Sequence, residues 1–101
     1  MIKWEIVYAP RSQRDLDAVE KRFALQILRD HDLLKLSPWP LSKVKRLRGV
    51  KLWEIKTGDF RSLFVTDRQK VVILRVINRR DLERVVGRID VEALLTWIGR
   101  T

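Results

Sequence analysis

The chain contains no cysteine, which excludes disulfides and thiolate metal sites. It has one histidine, His31, beside Asp30 in a polar stretch, where it reads as a solvated surface group. A Ser-His-Asp arrangement would have to use that residue, and no spacing sets it beside a nucleophile. The four glycines are scattered at 49, 58, 87 and 99, so there is no glycine-rich loop to cradle a phosphate. Acids number 13 against 22 bases and mostly alternate with them, which argues against a paired-carboxylate or multi-metal centre. No apolar run approaches the ~18–20 residues of a bilayer span, and the N-terminus lacks a signal-peptide pattern. The expectation is a cytoplasmic protein with no membrane partner, no metal and no cofactor.

What the chain has is positive charge: a formal +9 and an isoelectric point near 10.7. Such an imbalance bears on partners, not on fold, and suits phosphate-rich nucleic acid or an acidic protein. The cations sit among Val, Ile, Leu and Trp, unlike those of a disordered basic tail, so the chain reads as folded. With 101 residues, 46% of them hydrophobic, it can build one modest core, and residues 1–101 read as one domain. A core this small gains from a bound partner.

Residues 1–9 alternate, with Ile2, Trp4, Ile6 and Tyr8 on one side and Lys3 and Glu5 on the other, which predicts a half-buried strand. From Ser12, a plausible N-cap with Asp15 in the first turn, the period becomes helical. Leu16, Val19, Phe23, Ile27 and Leu28 form one stripe, predicting a helix over Ser12–Arg29. Ser37-Pro38-Trp39-Pro40 can propagate neither helix nor central strand and reads as a loop. Short strands are predicted over residues 52–56, 60–66 and 71–77, joined by Thr57-Gly58-Asp59 and by Asp67-Arg68-Gln69-Lys70 as turns. The last strand is almost wholly apolar, which suits a central strand covered on both faces. A second helical stripe runs through Leu82, Val85, Val86 and Ile89, can break at Gly87 and Asp90, and continues through Val91, Leu94, Leu95 and Ile98. The order β-α-β-β-β-α predicts an α+β fold, a small antiparallel sheet with helices packed on one face.

Chemistry in such a chain falls to arginine and lysine. Alternation puts Trp53 and Ile55 toward the core and so points Glu54 and Lys56 away from it. Arg61 follows just across the turn, and Arg79 and Arg80 follow the central strand. If these groups converge they can neutralise a phosphodiester or its pentavalent transition state. The bland alternative is a set of solvated strand-edge charges that discourage edge pairing. The acid-free run from 43 to 51 offers Lys43, Lys45, Arg46, Arg48 and Lys51 as RNA-binding candidates, with Arg80 as a sixth.

Four segments in this order carry a resemblance: Arg46-Leu47-Arg48-Gly49, Leu52-Trp53-Glu54-Ile55-Lys56, Gly58-Asp59-Phe60-Arg61 and Val76-Ile77-Asn78-Arg79-Arg80-Asp81. They resemble the RelE/ParE toxin superfamily, whose pattern is "LKG", "LWELR" or "YKIK", "GDYR", and an ending such as "VGHRKDVY" or "INRRDAY". The likeness is close over about residues 44–81 and loose outside them. It implies a RelE-like fold and the toxin of a type II toxin-antitoxin system, silenced by an acidic antitoxin. In ribonuclease members the toxin cuts mRNA in the ribosomal A site without a metal. The 2′-hydroxyl attacks the adjacent phosphate, and basic side chains stabilise the transition state. Carried onto this chain, the resemblance makes Arg61 the phosphate clamp and Lys56 the second lysine of "YKIK". It puts Glu54, a possible general base, where the first lysine stands. Arg79 takes the arginine that follows the family's histidine, with Asn78 at the histidine position. The tyrosine expected a few residues later is missing, leaving Glu54 or Glu83 for acid–base work, since Tyr8 reads as core. That departure keeps two alternatives open: a gyrase-poisoning relative that runs no reaction, its partner DNA gyrase, or an inactive binding relative.

Overall fold

The computed structural model describes residues 1–90. Its centre is a five-stranded sheet in the order β2-β7-β6-β5-β4: β2 (Glu5–Tyr8), β4 (Val44–Arg46), β5 (Trp53–Thr57), β6 (Phe60–Asp67) and β7 (Lys70–Asn78). The run Val71-Val72-Ile73-Leu74 is buried throughout and makes β7 an interior strand, as its unbroken apolar character predicts. Tight turns at Gly58 and at Arg68-Gln69 make β5, β6 and β7 an antiparallel meander, and β4 joins it antiparallel to β5. The backbone has positive φ at all three of those turn residues.

The strand expected over residues 1–9 is two strands. β1 (Ile2–Lys3) pairs antiparallel with β3 (Leu36–Ser37) in a separate ribbon, and the chain passes into β2 at Trp4, whose N–H donates to the Lys35 carbonyl at 2.8 Å. β2 lies parallel to β7, with Glu5 opposite Lys70 and Tyr8 opposite Ile73, so the sheet is mixed where a wholly antiparallel one was expected. A parallel neighbour requires a long crossover, which the helices between β2 and the meander supply.

The predicted Ser12–Arg29 helix is also two: α1 (Pro10–Asp17) and α2 (Lys21–Asp32). Pro10, with its fixed φ, starts α1 two residues early. Ser12 is therefore not the N-cap. It lies buried inside the first turn and donates its hydroxyl to the Ala9 carbonyl at 2.7 Å. Between the helices Glu20 is extended, and its carbonyl accepts the N–H groups of Phe23 and Ala24 to open α2.

The sheet has a core on each face. Ile27 and Leu34 pack against Ile55, Phe64, Val71 and Ile73 on the side of α1 and α2. On the other side Leu52, Val65, Val72 and Leu74 lie under Val50 and Val86, while Leu63 and Ile77 lie under Leu82 and Val85. A short α3 (Leu82–Val86), entered through a single 3-10 turn over Arg79–Asp81, supplies much of that second cover. The helices thus pack on both faces where one was expected. The predicted continuation of the C-terminal stripe through Val91 to Ile98 lies outside the described residues.

One irregularity ties the layers together. β6 and β7 slip register at Leu63/Phe64, which face Arg75 and Ile73 and leave Leu74 as an extra residue. The Asp15 carboxylate of α1 sits at this bulge and accepts from Val76 N–H at 2.9 Å and from Arg75 Nε at 2.8 Å.

Candidate nucleic-acid interface

The β5–β6 turn, Thr57-Gly58-Asp59-Phe60, gathers the predicted cations at one end of the sheet. Gly58 sits at φ +56°, a conformation L side chains rarely adopt. The hairpin it closes sets Lys56 directly opposite Arg61. Two like charges facing across strands disfavour the fold by roughly 0.2–1 kcal/mol, a cost that an anion between them would remove. Arg61 Nη1 donates to the carbonyls of Gly58 (2.8 Å) and Phe60 (2.9 Å), which holds the guanidinium at the turn with its other N–H groups to spare. Arg79 is brought in from the end of β7. Its N–H donates to the Asp59 carbonyl at 2.8 Å, and its exposed side chain lies 3.5 Å from the Asp59 carboxylate. Lys56, Arg61 and Arg79 therefore share one rim. Arg80 is exposed beside them, its N–H bonded to Asn78 Oδ1 at 3.1 Å.

The predicted RNA-binding stretch divides. Arg46, Arg48 and Lys51 line one wall of a cleft of about 980 Å³, and Arg88 and Asp90 lie on the opposite wall. Arg46 also sits over the Trp53 ring, 5.9 Å from its centroid. Lys43 is drawn away to α2, where its ammonium lies 3.0 Å from the Asp30 carboxylate. Lys45 pairs with Glu54 at 3.6 Å. Sequence reasoning missed Asp59, although it lies inside the "GDYR" match, and Arg88, which no pattern singled out.

Glu54 is not pointed away from the core. It is 1% exposed, and its Oε2 has no hydrogen-bond partner among the described residues. Alternation put it on the right face, but that face carries a second apolar layer and is not open to water. Glu83 is exposed in the first turn of α3, the helix that packs over Leu63 of β6 and Ile77 of β7.

His31 overturns its surface reading: it is 1% exposed. Its Nδ1 lies 2.9 Å from Tyr8 Oη and its Nε2 lies 2.7 Å from Ser62 Oγ. Burial lowers its pKa to about 4, only partly offset by the Asp30 and Asp32 carboxylates. Burial, with a contribution from Asp32, raises Tyr8 to about 12. Tyr8 is half-buried and packs against the core on the α1 and α2 side of the sheet. The helical stripe carried the signal for His31, since Phe23, Ile27 and His31 are four residues apart.

No protein-family profile matches the chain, and no curated protein matches it in sequence. Solved structures do. The chain is similar to the RelBE2 toxin-antitoxin complex of Mycobacterium tuberculosis, at 26% identity over 77% of this chain and 93% of that one, with a TM-score of 0.66. It is similar in fold to the archaeal RelE-RelB complex of Pyrococcus horikoshii, at 20% identity over 77% and 97% of the two chains, TM-score 0.66. A third likeness is to a YoeB/ParE toxin from Agrobacterium tumefaciens, at 18% identity over 73% and 96%, TM-score 0.61.

Proposed function

Because the chain belongs to the RelE/ParE superfamily, we propose that it is the toxin of a type II toxin-antitoxin system and a metal-independent endoribonuclease acting on ribosome-bound mRNA. The observation that carries this reading is the convergence of Lys56, Arg61 and Arg79 on one rim, with two of them forced into like-charge opposition. Such a cluster is shaped for a group whose negative charge grows during the reaction. As the 2′-oxygen bonds to phosphorus, charge builds on the non-bridging oxygens, and preoriented guanidinium groups stabilise it. The 2′-hydroxyl proton passes to a base, the phosphorus–5′-oxygen bond breaks, and the leaving oxygen takes up a proton. The products are a 2′,3′-cyclic phosphate and a 5′-hydroxyl. We assign the base to Glu83, which is exposed, and not to Glu54, which is enclosed. The proposed partners are mRNA, the ribosome and an acidic antitoxin.

Expression with primer extension on a reporter mRNA tests this. Arg61→Ala and Arg79→Ala should each lower cleavage by about 10²–10³-fold. Arg61→Lys should also impair it, because a lysine cannot grip two phosphate oxygens in one plane. Glu83→Gln should lower cleavage by roughly 10²-fold or more, while Glu54→Gln should act mainly on stability. Growth arrest with broken chromosomal DNA and no new mRNA ends would favour gyrase as the target.

A further inference from the structure

The turn that carries the phosphate cluster borders a second concavity, on the α2 side of the sheet. It measures about 370 Å³ and is lined by Phe23 and Gln26 from α2 and by Asp59, Phe60 and Asn78 from the strand ends. The register explains why two sites share one rim. Lys56, Arg61 and Ile77 form one cross-strand row, and Thr57, Phe60 and Asn78 form the next. Successive strand residues face opposite sides, so Phe60 turns toward α2 while Arg61 turns away. Asn78 ends β7 just before Arg79, whose side chain reaches the Asp59 carboxylate on the rim of this concavity. Each cation of the phosphate cluster is thus chain-adjacent to a residue of this concavity.

The walls have the chemistry of a nucleobase site. Phe60 and Phe23 form an aromatic floor, ring centroids 5.8 Å apart, and Arg22 lies over Phe23. The Gln26 carboxamide is exposed and offers a donor beside an acceptor. Asn78 spends its Oδ1 on the Arg80 N–H, which fixes the amide and leaves its NH₂ to donate. Thr57 adds no polar contact, since its hydroxyl is given to Asp30 at 2.7 Å.

We propose that this concavity binds a purine base of the RNA whose phosphate lies on Arg61 and Arg79, and so biases where the chain is cut. The proposal rests on the ribonuclease reading and adds substrate preference to it. A purine presents N7 as an acceptor beside its exocyclic group at position 6. That edge suits the donors of Asn78 and Gln26, and pyrimidines lack N7. The larger ring system also covers more of the aromatic floor, and base–aromatic stacking is a substantial, sequence-tolerant term.

The test is an NMR titration of the full chain with the 3′-monophosphates of adenosine, guanosine, cytidine and uridine, and with inorganic phosphate. The purine nucleotides should bind roughly tenfold tighter than the pyrimidine ones, a difference of the size stacking supplies. They should shift the side-chain amides of Gln26 and Asn78 and the ring signals of Phe60, whereas inorganic phosphate should shift Arg61 and Arg79 alone. Gln26→Ala removes an exposed helical side chain and should shrink the purine preference to about twofold or less. If all four nucleotides bind like phosphate, or the preference survives Gln26→Ala, the purine site is wrong, whatever the cleavage assay gives. If purines bind as expected but ribosome-bound mRNA stays intact, the ribonuclease reading fails and the base site stands.

Discussion

His31 links one residue to the pH range in which the protein folds. Its ring titrates near 4 in the folded chain and near 6.5 when unfolded. Between those values the unfolded chain binds more protons, so stability is complete above about pH 6.5 and falls as pH drops toward 4. With 1.36 kcal/mol per pH unit, the loss reaches on the order of 3 kcal/mol. Urea midpoints at pH 7.5, 5.5 and 4.5 should therefore decline, and His31→Gln should flatten the slope across that window. An unchanged slope in the variant would assign the acid sensitivity to other groups. Residues differ in how well the sequence exposes them. Lys56, Arg61 and Arg79 were legible because alternation and a three-residue turn suffice to bring them together. His31 and Glu54 were not, because polarity argued for water at both, and only the packed layers decide that neither reaches it.

At the scale of elements, the three meander strands and the helical ends were legible from period and turn chemistry. The break between α1 and α2 was not. No glycine or proline marks Ala18–Glu20, and the stripe of Leu16, Val19 and Phe23 runs on through it. The parallel seating of β2 was likewise hidden, since alternation gives a strand's faces but not its direction. Asp15 illustrates how elements are fastened. Sequence reading made it a helix-start acid, whereas the fold uses it to bridge α1 to the β7 bulge. Asp15→Ala leaves the Val76 N–H and a part-buried Arg75 without their acceptor and should cost roughly 2–3 kcal/mol. Asp15→Asn keeps one acceptor for the Val76 N–H and should cost less. Denaturant titration of both variants checks the order. Equal losses would mean that the ion pair matters and the bulge contact does not.

For the whole molecule, the +9 charge on a chain of 101 residues governs encounter more than fold. Association with the proposed antitoxin should be fast at low salt and slow markedly between 50 and 300 mM salt, as steering is screened over ~10 Å or less. Stopped-flow mixing at several ionic strengths measures this, and a rate that ignores salt would point to an interface led by apolar contact. A partner that binds only the folded chain also raises its melting temperature by mass action. The two covered faces of the sheet carry a further consequence. With Leu63 and Ile77 roofed by Val85 on one side and Phe64 facing Ile27 on the other, the Lys56, Arg61 and Arg79 cluster is left to the strand ends and the turn beside them. Asp59, Arg79 and Arg80 are exposed there, so the rim can exchange those side chains at little expense to the scaffold.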